Sequence, residues 1–185
     1  MSRERARTYA EAREYVRLRG AGCAGHGFLV RDGDQYPDDE DWIITLVAAC
    51  EQDDAERTYE FAVDPPVPAD GGWSFGPGRS RLLDPGDWAL VAHNLDESIG
   101  QVLAGPPVPE SVTLALDLLA RAAGAVAEVA KFIPAGADAV PAGAFGTAWG
   151  QTAHARRPEV FTVAGLRQRT EEYREAARVI REAVR

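Results

Sequence analysis

The chain has 185 residues, 45% of them hydrophobic, and a net charge of −9 at pH 7. That is enough apolar content for one globular core, and the wrong sign of charge for a duplex-binding protein, which presents a dominant basic face. Two cysteines, Cys23 and Cys50, are too few for a disulfide scaffold, and both read as reduced thiols.

No apolar run reaches the charge-free length a bilayer demands, because Asp117, Arg121, Glu128 and Lys131 interrupt the most apolar segment. The first residues carry charges with no apolar stretch behind them, so a secretory signal is not expected and the reading is cytoplasmic. Charge is unevenly spread. Residues 1–19 hold six Arg against three Glu, and residues 156–185 hold eight Arg against five Glu. Each end is therefore net +3, which leaves −15 for residues 20–155.

Thr8-Tyr9-Ala10-Glu11 has capping-box spacing and opens a helix that runs to about Arg19, with Gly20 as its stop. Tyr9, Ala12, Tyr15 and Val16 give that helix a narrow apolar face. After a small-residue loop over 20–27, residues 27–31 read as a short strand and 32–41 as an acidic loop. Residues 42–50, WIITLVAAC, read as a central strand buried on both faces. A second acidic loop covers 51–56, and 57–63 alternates as a half-buried strand should. Together these predict a small antiparallel sheet of three to four strands. Residues 64–80, crowded with Pro and Gly, form a long loop with room for an edge strand at 73–75.

Asp84-Pro85-Gly86-Asp87 is a strong helix start, with Asp84 as N-cap and Pro85 at the first helical position. Trp88, Val91, Ala92, Leu95, Ile99, Val102 and Leu103 form the apolar face that follows. Val112, Ala115, Leu116, Leu119, Val126 and Val129 recur at spacings of three and four, and Pro134 closes the run. The spacing predicts a long central helix over 110–133, roughly 36 Å in length. Residues 135–158 read as a second long irregular segment, and Thr162 caps a last helix whose face includes Leu166, Thr170, Tyr173, Ala177, Ile180 and Val184. The expected fold is a single α+β domain over 1–185, β-rich over 1–83 and helical over 84–185. In it, Leu116, Leu119, Val126 and Val129 share one core with Trp42, Ile44, Leu46 and Phe61.

No motif assigns catalysis. Cys23 and His26 have metal-ligand spacing, but no second close pair completes a four-ligand site. Counted from Asp32, Pro37 and Ile43 occupy the positions where a calcium loop needs Gly and Glu. His93 has Asp96 and Glu97 as ordinary helix neighbours, with no nucleophile marked. The glycines of 71–79 make a poor phosphate cradle, because Pro77 removes an amide and no helix follows at once. His154, Arg156 and Arg157 have the chemistry to hold an anion, and a surface turn before Pro158 is the preferred alternative. No catalytic residue, cofactor or metal is assigned.

Acid beside aromatics suits a protein-binding surface. The leading expectation is a non-enzymatic acidic module that covers a basic protein partner, as an immunity protein, antitoxin or chaperone would. Its partner-facing residues would be Asp34, Tyr36, Asp38, Asp39, Asp41, Asp53, Asp54, Trp73 and Phe75. One alternative is a small-molecule enzyme or ligand-binding protein with a pocket under 64–81 and 134–158. The other is a structural subunit of a homo-oligomer. A pocket lined by convergent His, Asp and Arg would favour the enzyme, and an apolar helix face left open the homo-oligomer.

Overall fold

The computed structural model describes residues 3–20, 28–39, 41–50, 55–64, 74–106 and 108–183. Cys23, His26, Asp53, Asp54 and Trp73 lie outside them. Among the described residues the chain is α+β, with a four-stranded mixed sheet and five α-helices. It divides into two compact units, residues 1–70 with 75–82, and residues 71–74 with 83–185.

The first unit is the sheet, in the order β1-β4-β3-β2. Strands β2 (Phe28–Asp38), β3 (Asp41–Cys50) and β4 (Glu56–Val63) form an antiparallel meander. Strand β1 (Glu4–Ala6) joins β4 in parallel, pairing Glu4 with Phe61 and Ala6 with Val63. The sheet is therefore mixed, where the sequence predicts antiparallel pairing throughout. Three residues, two of them charged, carry no strand periodicity. Their strand exists because β4 offers an unpaired edge and Ala6 fits the core, where it is fully buried.

Helix α1 (Tyr9–Arg19) follows at once. The Thr8 hydroxyl accepts from the Glu11 amide at 3.2 Å, as a capping box requires. The Glu11 carboxylate reaches one residue further back than expected, accepting from the Arg7 amide at 2.6 Å and from its guanidinium at 2.8 and 3.0 Å. Arg7 also donates to the Gly78 carbonyl at 2.6 Å, which ties the 76–78 turn to the start of α1. Ala12 and Val16 of α1 cover Ile44, Leu46, Ala48, Phe61 and Val63, and Tyr15 meets Phe61 edge to face at 5.7 Å. The sheet thus finds its apolar cover in the first helix. The outer face of β3 is only half-buried at Thr45, Val47 and Ala49, so the strand is less enclosed than its apolar run implies.

Residues 32–38 are strand, not loop. β2 and β3 stay paired from Phe28–Cys50 to Asp38–Asp41, with a bulge between Asp32 and Gln35. A Cβ on Gly33 would lie 2.3 Å from the Thr45 hydroxyl, so the bulge requires glycine there. Asp39 takes φ of 53° in the tight turn, a conformation that Asp tolerates better than most residues.

The second unit is helical. α3 (Pro109–Ala130) packs between α2 (Pro85–Ala104) and α5 (Val163–Ala183). Leu119, Val126 and Val129 are buried, while Leu116 is half-buried. α3 stops short of the predicted Ile133: bonds from the 131, 132 and 133 amides to carbonyls three residues back tighten the chain before Pro134. Lys131, the only lysine, donates to the buried Glu128 at 2.5 Å.

The supposed irregular segment 135–158 contains a 3-10 turn at Ala142–Ala144 and helix α4 (Ala148–Arg156). Its position is fixed through Asp84. One carboxylate oxygen caps α2 by accepting from the Asp87 amide at 2.9 Å; the other accepts from the Thr147 amide at 2.7 Å and hydroxyl at 2.8 Å. Gly86 and Gly150 let the two helix starts touch, since a Cβ on Gly86 would lie 2.2 Å from the Gly150 Cα. No helix among the described residues is long and apolar enough to cross a membrane.

Candidate functional site

The acids of the hairpin are largely claimed by arginines from the first nineteen residues. Arg3 pairs with Asp38 and Glu60, Arg5 with Asp41 at 2.5 Å and Asp64 at 3.1 Å, and Arg13 with Asp32 at 2.5 Å. The Tyr9 hydroxyl also donates to Asp32. Asp38 and then Glu60 hold the Arg3 guanidinium above its ordinary range. Of the predicted partner-facing set, Asp34, Asp39 and Tyr36 remain exposed, and neither carboxylate has an ion-pair partner among the described residues. Phe75 is fully buried, which corrects its assignment to the surface. An aromatic flanked by small and polar residues reads equally well as surface or core until its neighbours are known.

The helical unit holds a cleft of about 560 Å³, within the range of small-molecule pockets. Three helices line it with the same spacing. α2 contributes Ala89, Ala92, His93 and Asp96; α4 contributes Trp149, Thr152, Ala153 and Arg156; α5 contributes Gly165, Gln168, Arg169 and Glu172. Each set is an i, i+3, i+4, i+7 stripe, so one face of each helix looks into the same space. Val126 and Val129 of α3 and Phe161 close it with apolar surface. Space remains because Ala89, Ala92, Ala153 and Gly165 are small. Gly165 is needed for a second reason: a Cβ there would lie 2.2 Å from the Glu159 carbonyl oxygen.

Most of the charge in the cleft is paired. Arg169 donates to Asp96 across the helices and to Glu172 at 2.9 Å, and Gln168 donates to Glu172 at 3.0 Å. Arg169, followed by Gln168, holds the Glu172 carboxyl below the usual carboxylate range. Glu159 is lowered by its own backbone amide and then by Arg157, which pairs with it at 3.2 Å. Behind the cleft, Tyr173 is buried beneath the Arg169 guanidinium, 4.9 Å from its ring centre. Burial first, and then Asp96, raise its phenol well above the ordinary value. The Thr152 hydroxyl is bonded to the Ala148 carbonyl at 2.8 Å, and His93 lies 3.6 Å from Glu97. Arg156 has no hydrogen-bond or ion-pair partner among the described residues. His154 stacks on Phe145 at 4.5 Å and does not line the cleft.

In the sequence, His93, Asp96, Arg156 and Arg157 stand in separate contexts, and Trp149, Arg169 and Glu172 join them in one site only through the fold. The repeated stripe was available as a signal; α4 hid it, being nine residues long and broken by Gly150. A second, shallower depression runs along α2 and α5 at Leu103, Ala176, Val179 and Ile180. Its acids Glu171 and Glu175 pair with Arg174 and Arg178 of their own helix.

No family model matches the chain, and neither a curated protein nor a solved structure matches it.

Proposed function

We propose that the protein binds a small molecule in the cleft between α2, α4 and α5. The observation that carries this reading is the convergence of three helix stripes on one apolar-floored space with polar groups at its rim. Such a combination of apolar enclosure and a few placed polar groups is the usual make-up of a ligand site. Binding is the reading preferred here because the lining carboxylates Asp96, Glu159 and Glu172 are each paired with an arginine and the threonine hydroxyl is bonded to a carbonyl. The test is a fragment screen by NMR on the 15N-labelled chain. Shifts should concentrate on the Trp149 indole, Thr152 and Leu166. Shifts scattered over the surface, or none with any fragment, would reject the reading.

A second reading, capture of a basic protein by the acidic hairpin, keeps support from the exposed and unpaired Asp34 and Asp39 beside Tyr36. It is the weaker of the two, because Asp32, Asp38 and Asp41 already have arginine partners within the chain.

A further inference from the structure

We infer that the ligand of this cleft carries a carboxylate at one end of a flat apolar body, with Arg156 as the residue that receives the carboxylate. The inference rests on the cleft being a binding site and concerns what enters it.

The three carboxylates and three arginines around the space balance in number but are paired unevenly. Asp96 and Glu172 share Arg169, and Glu159 has Arg157. Arg156 is the lining arginine left without a carboxylate among the described residues, so the open positive group lies at the α4 end of the cleft. A guanidinium presents paired N–H groups that match a carboxylate in two parallel bonds, which favours that anion over a neutral amide of equal size. The last turn of α4 also suits a cation because of the helix dipole. That accounts for a basic residue there, and Arg157 next door would serve as well. It does not account for Arg156 sharing one stripe with Trp149.

The stripe also sets a length. Trp149 and Arg156 are seven residues apart on one face of α4, about 10 Å at 1.5 Å per residue. Trp149 is 44% exposed, a large aromatic left uncovered beside a cavity. A ring system lying on Trp149 and Ala153, with its carboxylate one short arm away, spans that distance. A second anionic group would meet the net negative Asp96–Arg169–Glu172 cluster, and a cation at the α4 end would meet Arg156.

The experiment uses three probes of one shape: 2-naphthylacetate, the neutral 2-naphthylacetamide, and the cationic 2-(2-naphthyl)ethylamine. Each is titrated into the full chain and into Arg156→Gln by calorimetry, with 15N NMR locating the site. The acetate should bind about tenfold tighter than the amide, and the amine weakest. Arg156→Gln should bring the acetate down to the affinity of the amide and leave the amide unchanged, with an unaltered melting temperature. Equal binding of all three probes at Trp149 would overturn the carboxylate inference while the cleft stands as a binding site. A tenfold preference that survives in Arg156→Gln would also overturn it. Failure of every probe to shift Trp149 would reject the cleft itself and the inference with it.

Discussion

The acidic hairpin and the helical cleft both gather charge, and they differ in where the neutralising groups come from. In the hairpin, Asp32, Asp38 and Asp41 are met by Arg13, Arg3 and Arg5, residues distant in sequence that α1 and β1 bring alongside. In the cleft, three carboxylates are taken by two arginines and a third arginine is left over. The segment that looks most acidic is thus partly quenched, while a nearly balanced helical region retains an unmatched cation. A run of like charge in sequence predicts a surface field only when the chain does not fold its counter-charges back onto it.

The comparison is sharpened first by asking whether each region rests on its own core. Phe61→Ala in the sheet unit should cost about 3–5 kcal/mol, and Leu119→Ala in the helical unit about 2–5 kcal/mol, since both side chains are buried. Urea unfolding of the two variants measures this. A loss at the level of a surface substitution in either would remove that residue from its core.

A smaller effect tests what places α4, and so the cleft. Asp84→Ala removes the cap of α2 and the anchor of Thr147 together, and should cost about 2 kcal/mol. The same variant should weaken binding of any probe that shifts Trp149. Unchanged binding with reduced stability would show that α4 is held elsewhere.

Alkaline titration separates the regions again. Tyr173 has a folded pKa raised above its ordinary value of about 10, so the native state holds its proton more tightly than the unfolded chain does. Its contribution is fully present below pH of about 10 and is lost as pH rises toward the folded pKa. Tyr9 and Tyr15 of the sheet unit are also raised, by burial first and then by Asp32 and Glu4 respectively, and are less deeply buried. Tyr173→Phe should therefore remove the largest part of the alkaline loss of melting temperature. An identical alkaline slope in the variant would assign that loss to Tyr9, Tyr15 or another group.

The smallest expected effect on stability comes from the hairpin. Arg3→Gln with Arg5→Gln breaks exposed ion pairs, which contribute little to folding. The double variant should nevertheless uncover negative charge and speed low-salt association with poly-L-lysine. Asp34→Asn with Asp39→Asn should slow it. Both differences should fade as the screening length falls from roughly 30 Å at 0.01 M salt to about 8 Å at physiological strength. Rates that ignore both changes would leave the hairpin no role in capture.

What the sequence determined by itself is what neighbours in the chain decide. Asp84 and Pro85 start α2, periodicity marks α3 and α5, and alternation marks β4, because caps and amphipathic faces are written within one or two turns. The apolar spacing of α3 also marked it as a long central helix, and α2 and α5 pack against it. Tertiary structure decided the rest. Strand β1 exists through an edge that lies fifty-seven residues onward, since Arg5 pairs with Ala62 and Glu4 with Phe61. The acidic segment became a hairpin because β3 gave it a pairing partner. Helix α4 holds its place through a carboxylate sixty-three residues earlier. The cleft, likewise, is three unremarkable stripes until α2, α4 and α5 face one another. Long-range pairing of this kind depends on distances in space that no local pattern encodes, and it alone set which charges were cancelled and which, at Arg156, were left to act.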